Sequence, residues 1–192
     1  FNYILLYKKL ATGSSYRDSS LTALAEIFEN RQQYSKAAAY WQQVNKSSPS
    51  DYYKERLQAI TAPWGQFETG EAQAVGDPAK LQFRFRNGKQ LTISIAPIKI
   101  DRLLTDVKKY VGSNPQNFDY DKYNIDNIGY RLVEKDESRY LGKPVANWDE
   151  TLEPLADHFD RRVEIKTPIT QAGAYLVTAT LKDGNLSRII IW

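Results

Sequence analysis

The chain has 192 residues, 42% of them hydrophobic and 12% aromatic, with a further 26% charged and scattered along its length. That composition suits one globular domain or two small ones and excludes a disordered chain. A formal net charge of +3, with basic pairs no longer than Lys8-Lys9, Lys108-Lys109 and Arg161-Arg162, predicts no nucleic-acid partner.

There is no Cys, which rules out disulfides and thiolate metal sites, and no Met, not even at position 1. The chain is therefore expected to begin after processing or to be an excised piece. Its opening FNYILLYKKL is too short for a signal peptide or a membrane span and lacks a small-residue cleavage site.

Up to about Ile60 the sequence has helical periodicity, and Gly and Pro are scarce. Phe1–Ala11 reads as one helix. Leu21, Leu24, Ala25 and Phe28 then recur at helical spacing, followed by Ala37, Trp41 and Val44, and by Pro49. Ser19 or Ser20 is the expected cap of the first helix of this pair. Two helices packed face to face need small residues where they cross, which Ala25 and Ala37 supply. These positions, within a 34-residue unit from Asp18 to Asp51, resemble a tetratricopeptide repeat. Leu21 and Trp41 stand where the repeat more usually has Trp and Phe or Tyr. A single repeat cannot bury its own face, so the flanking helices Phe1–Ala11 and Asp51–Ile60 are expected to complete a short stack.

Pro63 biases Ala62 away from helix, which places a boundary between a helical region, 1–62, and a β region, 63–192. Trp64–Glu68 reads as a strand. In Leu81–Arg86, Leu81, Phe83 and Phe85 share one face, and Leu91, Ile93 and Ile95 return along the same face after Asn87-Gly88. This predicts a β-hairpin with positive φ at both Asn87 and Gly88. Ile100, Leu103, Leu104, Val107 and Val111 mark one face of a helix capped by Asp101 and stopped at Gly112. Ser113–Asn127 reads as a long loop. Further strands are expected at Gly129–Glu134, around Pro144–Trp148, at Arg161–Thr167 and in two arms closing on Asp183-Gly184. Seven or eight short strands suggest an antiparallel sandwich carrying an inserted helix. In the last arm Ile189, Ile190 and Ile191 stand in succession, the mark of a strand covered on both faces. The second cover is expected to be something adjacent, and another domain is expected beyond Trp192.

Catalytic, cofactor and metal residues are all expected to be none. His158, flanked by Asp157 and Asp160, is the single histidine, with no Cys and no G-x-S-x-G serine to serve it, and reads as a structural loop residue. Asp119, Asp121, Asn124 and Asp126 fail the EF-hand spacing, with Tyr123 at the fifth loop position and Asn124 where Gly is needed. Asp149, Glu150, Glu134, Asp136 and Glu137 read as exposed charge. Asn45 and Asn185 satisfy the N-glycosylation pattern. The many aromatics of the β region, among them Trp64, Phe67, Tyr110, Phe118, Tyr120, Tyr123, Tyr130, Tyr140, Trp148, Phe159 and Tyr175, are assigned to core and strand pairs before any binding row.

Four segments carry a family resemblance: Phe83–Gly88, Ile128–Glu134, His158–Arg162, and Ala172–Ala179 together with Gly184–Trp192. They resemble the N-terminal part of large bacterial alpha-2-macroglobulin-like proteins. The resemblance implies a macroglobulin or fibronectin-III-like β-sandwich preceded by a short tetratricopeptide-like stack, in a multidomain α + β protein. It implies a non-catalytic structural or protein-interaction fragment of an exported protein that traps proteases or builds a surface scaffold. The location would be periplasmic, cell-surface or secreted. Partners would be neighbouring domains of the same protein and proteases or other proteins, and no cofactor is implied. The family's thioester chemistry needs a Cys, so none of it is carried over. The alternative is an independent peptide- or glycan-recognition module. An unrecognised hydrolase working through His158 is the weakest reading.

Overall fold

Four helices open the chain: α1 (Tyr3–Leu10), α2 (Arg17–Asn30), α3 (Tyr34–Ser47) and α4 (Asp51–Thr61). The computed structural model describes residues 2–13, 15–68, 74, 76–113, 116 and 138–192. Each helix packs on its neighbour in the chain. α2 and α3 run antiparallel, since Ser47 at the end of α3 donates to Asp18 Oδ1 in the first turn of α2 at 2.8 Å, and Ser48 donates to the other carboxylate oxygen. The two hydroxyls, Ser48 before Ser47, hold the Asp18 carboxyl below its ordinary value of 3.8.

The apolar stripes of α2 and α3 meet as their spacing demands. Leu24, Ala25, Ala37, Trp41 and Val44 are wholly buried, with Leu21 and Phe28 nearly so. Each large side chain removed from water contributes about 2 kcal/mol. Trp41 donates its indole N–H to Glu29 Oε2 at 3.1 Å, and Arg56 of α4 donates to the same oxygen at 2.7 Å. One carboxylate therefore joins three helices. Neither expected serine caps α2: the helix begins at Arg17 after Tyr16, and Ser19 and Ser20 lie inside it. Ser50 does cap α4, its hydroxyl accepting from Tyr53 N–H at 3.2 Å.

Among the described residues seven strands follow: β1 (Trp64–Phe67), β2 (Lys80–Arg86), β3 (Gln90–Pro97), β4 (Ala146–Thr151), β5 (Arg161–Lys166), β6 (Tyr175–Leu181) and β7 (Leu186–Ile191). They form two antiparallel sheets, β1-β2-β5 and β4-β3-β6-β7. Inward residues of both, including Phe67, Leu81, Phe83, Phe85, Ile93, Ile95, Val177 and Leu181, share one core. The architecture is thus α + β, with five α-helices and two antiparallel sheets among the described residues.

The hairpin expected at Asn87-Gly88 is not a hairpin. β2 pairs with β1 and β5, and β3 pairs with β4 and β6, so the two strands lie in opposite sheets. Only Asn87 has positive φ, at 57°, and Gly88 N–H bonds back to Arg86 carbonyl at 2.7 Å. Both strands face the same core, which alternation alone predicts equally for a hairpin and for a corner between packed sheets. The closing hairpin does form, with Val177 opposite Ile189 and Tyr175 opposite Ile191.

The inserted helix α5 (Ile100–Gly112) covers the outer face of the larger sheet. Asp101 does not cap it, because Lys99 holds that position and no side-chain bond is made. Leu103 of α5, Ile98, Tyr140, Ala174 and Leu176 make a second small core, against which Ile190 packs. Ile189 and Ile191 face the main core. The run of isoleucines is indeed covered on both faces, and the second cover is α5 and Tyr140 of the same chain. The strand expected at Gly129–Glu134, the acidic group Asp119, Asp121, Asn124 and Asp126, and Glu134, Asp136 and Glu137 lie outside the described residues, as does nearly all of the Ser113–Asn127 loop.

Candidate functional site

His158 lies where the helical stack meets the sandwich. Its loop, between β4 and β5, holds two consecutive non-glycine residues in the left-handed region, Asp157 at φ 58° and His158 at φ 63°. Each costs about 1–2 kcal/mol relative to ordinary backbone. The side chains show what offsets this. Asp157 Oδ1 accepts from the Ser35 hydroxyl of α3 at 2.7 Å, and His158 Nδ1 lies 2.8 Å from Asn87 Oδ1. Phe159 meets the Tyr34 ring edge to face, with centroids 5.4 Å apart. Asn87 in turn donates its amide hydrogens to the carbonyls of Ile60 and Ala62 at 2.7 and 3.2 Å. The imidazole Nδ1 is thus engaged with the corner asparagine that also holds the linker.

Other candidates among the described residues are also engaged. Asp149 accepts from Thr92 at 2.6 Å across the β3–β4 pair, and Glu150 accepts from Trp148 at 2.9 Å. Asp160 faces Arg84 and Arg86 at 3.8 and 3.7 Å, and both guanidinium groups lie over the Trp64 ring. Asn185 pairs its amide with Gly65, accepting from its N–H and donating to its carbonyl, each at 2.8 Å, and donates also to the Leu186 carbonyl at 3.3 Å. Glycosylation would compete with that pairing. Asn45 accepts from Ser50 N–H at 3.3 Å.

Among the described residues no group of three or more His, Asp or Glu side chains is placed to hold a metal ion. Nor is any helix there long and apolar enough to cross a membrane. Of the aromatics, Phe67 and Tyr140 are buried, Trp148 and Tyr175 pack on the main core, and Phe159 is half exposed at the junction. Phe118, Tyr120, Tyr123 and Tyr130 lie outside the described residues. Among the described residues the exposed concavities include a groove of about 770 Å³ between α1 and α2, lined by Tyr3, Tyr7, Ile27 and Arg31, and a cleft of about 240 Å³ at the junction, lined by Tyr34, Lys36, Asp157 and Phe159. Asn87 and Asn185 went unrecognised from sequence, because both sit in turn motifs that account for an asparagine without any long-range role.

The geometry is that of packed helices fastened to an antiparallel sandwich, with Asn87, Asp157 and Asn185 engaged in ties. No family model and no curated protein matches the chain. Among solved structures it is similar to Escherichia coli alpha-2-macroglobulin spanning domains MG0-NIE-MG1, at 13% identity over 68% of this chain and 39% of that one, with a TM-score of 0.39. The NIE-MG1 fragment of the same protein is similar at 15% identity over 69% of this chain and 61% of that one, with a TM-score of 0.36. Its native conformation is similar at 13% identity over 68% of this chain and 8% of that one, with a TM-score of 0.38. Likeness at this distance assigns no function.

Proposed function

We propose that the chain is a non-catalytic structural and protein-interaction unit of a large exported bacterial protein of the alpha-2-macroglobulin-like kind. In this reading α2 and α3 form a tetratricopeptide repeat and the sheets form a macroglobulin domain. Its partners are neighbouring domains of the same protein and the proteases or other proteins that it meets outside the cytoplasm.

One observation supports the reading above others. The segments that carry the family resemblance, apart from Ile128–Glu134, occupy framework positions: β2 and the corner after it, the junction loop into β5, and the β6–β7 pair. Their side chains are used for core and ties. Sequencing the gene on either side of the coding segment tests the proposal. Several further sandwich domains are expected downstream in the same reading frame, and a frame that stops close to Trp192 overturns it.

A further inference from the structure

The linker between stack and sandwich is held residue by residue. Asn87 takes the Ile60 and Ala62 carbonyls. The Pro63 carbonyl lies against Gly184, so close that a Cβ there would stand 2.7 Å from its oxygen. Asn185 takes both backbone groups of Gly65, and the Ser187 hydroxyl accepts from Phe67 N–H at 3.0 Å. The grips come from two separate turns, β2–β3 and β6–β7, and they bracket the linker Thr61–Pro63. Ala62 is itself extended, at φ −70° and ψ 149°, as a residue before proline must be.

From this we infer that the linker is a clamp rather than a hinge, and that stack and sandwich move as one rigid unit, locked by Asn87 to α4 and by Asp157 to α3, with His158 and Asn185 holding the sandwich side of the junction. The inference stands on the geometry of this chain and not on the function proposed above. The partners of Asn87 assign the hydrogen-bond directions. The Asn87 amide nitrogen points at two carbonyls, so its oxygen is left to accept, and His158 carries its proton on Nδ1. The left-handed pair Asp157-His158 has the conformation of a loop over-determined by its partners. One of those partners is Ser35 on the stack, and the other is the corner asparagine that also holds the linker. Inter-domain contacts are mobile by default, and this set of ties is what removes that freedom.

The chain has no Cys, so a pair of spin labels is introduced cleanly at Lys54→Cys on α4 and Lys166→Cys on β5, both exposed positions. A pulsed electron–electron distance measurement on the full chain is expected to give one narrow distribution. Asn87→Asp keeps an acceptor for His158 and tolerates the left-handed conformation but has no N–H for the two carbonyls, and it is expected to broaden that distribution. Ser35→Ala, which cuts a single exposed tie and leaves both cores intact, is expected to broaden it less. Nitrogen-15 spectra of the unsubstituted chain are expected to show the His158 Nδ1–H form. A broad distribution in the unsubstituted chain overturns the lock, as does one that neither substitution alters. An Nε2–H histidine overturns the assigned role of Asn87.

Discussion

Two turns at one end of the sandwich look alike and do different work. Asn87-Gly88 follows β2, and Asp183-Gly184 follows β6. In each the polar residue takes the left-handed conformation, at φ 57° and 59°, while its glycine does not. Each glycine is instead needed for close approach: a Cβ on Gly88 would stand 2.5 Å from Leu181 Cδ1, and one on Gly184 would stand 2.7 Å from the Pro63 carbonyl oxygen and 3.0 Å from Leu181 Cδ2. The same leucine thus separates the two turns. They diverge in what they join. The first carries the chain from one sheet to the other, and its asparagine reaches out to α4. The second closes a pair of adjacent strands, and its neighbour Asn185 replaces a strand partner for β1. Turn chemistry sets the local backbone, and the side chain's distant partner decides the architecture.

Substituting the glycines separates the two turns most strongly. Gly184→Ala drives a methyl group into backbone that is already fixed by Asn87 and Asn185, and overpacking against an unyielding neighbour costs about 3 kcal/mol. Gly88→Ala meets Leu181 from Cγ to both Cδ atoms, a buried side chain that can shift further than backbone can, and is expected to cost about 2 kcal/mol. Urea unfolding of both variants measures the difference. Equal losses would mean that the linker yields as readily as a side chain.

The contrast also explains what could be read in advance. The α2–α3 pair was legible because Leu21, Leu24, Ala25 and Phe28 repeat with the helix period and are all buried. Strands β2 and β3 were legible from alternation, and the double cover of Ile189–Ile191 from the succession of three isoleucines. Which strands pair was not. Leu81, Phe83 and Phe85 must face Leu91, Ile93 and Ile95 across a core whether the corner is a hairpin or a crossover, because both arrangements put the same alternate residues inside. His158 was legible as a loop residue, but its partner Asn87 is 71 positions away, and no periodicity connects them. Capping serines misled for a local reason: a Ser near a helix start suggests a cap, whereas here Ser19 bonds to Tyr16 carbonyl from inside the helix, and Tyr16 at the cap position makes no side-chain cap bond.

Asn185→Ala tests the second turn's long-range role directly. It leaves the Gly65 N–H and carbonyl without their partner where β1 borders β7, and the expected loss is about 2 kcal/mol. Hydrogen exchange should then quicken at Gly65 and Phe67 before it does in the central strands β3 and β6. Uniform loss of protection across the sheets would show that Asn185 is part of the common core rather than a local tie.

The smallest effect is the most discriminating, because it isolates conformation from contact. Asp183→Gly relieves a left-handed residue whose side chain makes no tie to the linker, and the relief nearly cancels the extra freedom that glycine gains in the unfolded chain. The net change is expected to lie within about 0.5 kcal/mol of zero. Asn87→Gly relieves the same backbone conformation and removes three hydrogen-bond contacts as well, to Ile60, Ala62 and His158. It should therefore destabilise clearly in the same urea titration. If the two substitutions behaved alike, the asparagine would be serving the turn alone. The sign and size of their difference measure how far this corner has been turned from a bend in the chain into the fastening of one part of the molecule to the other.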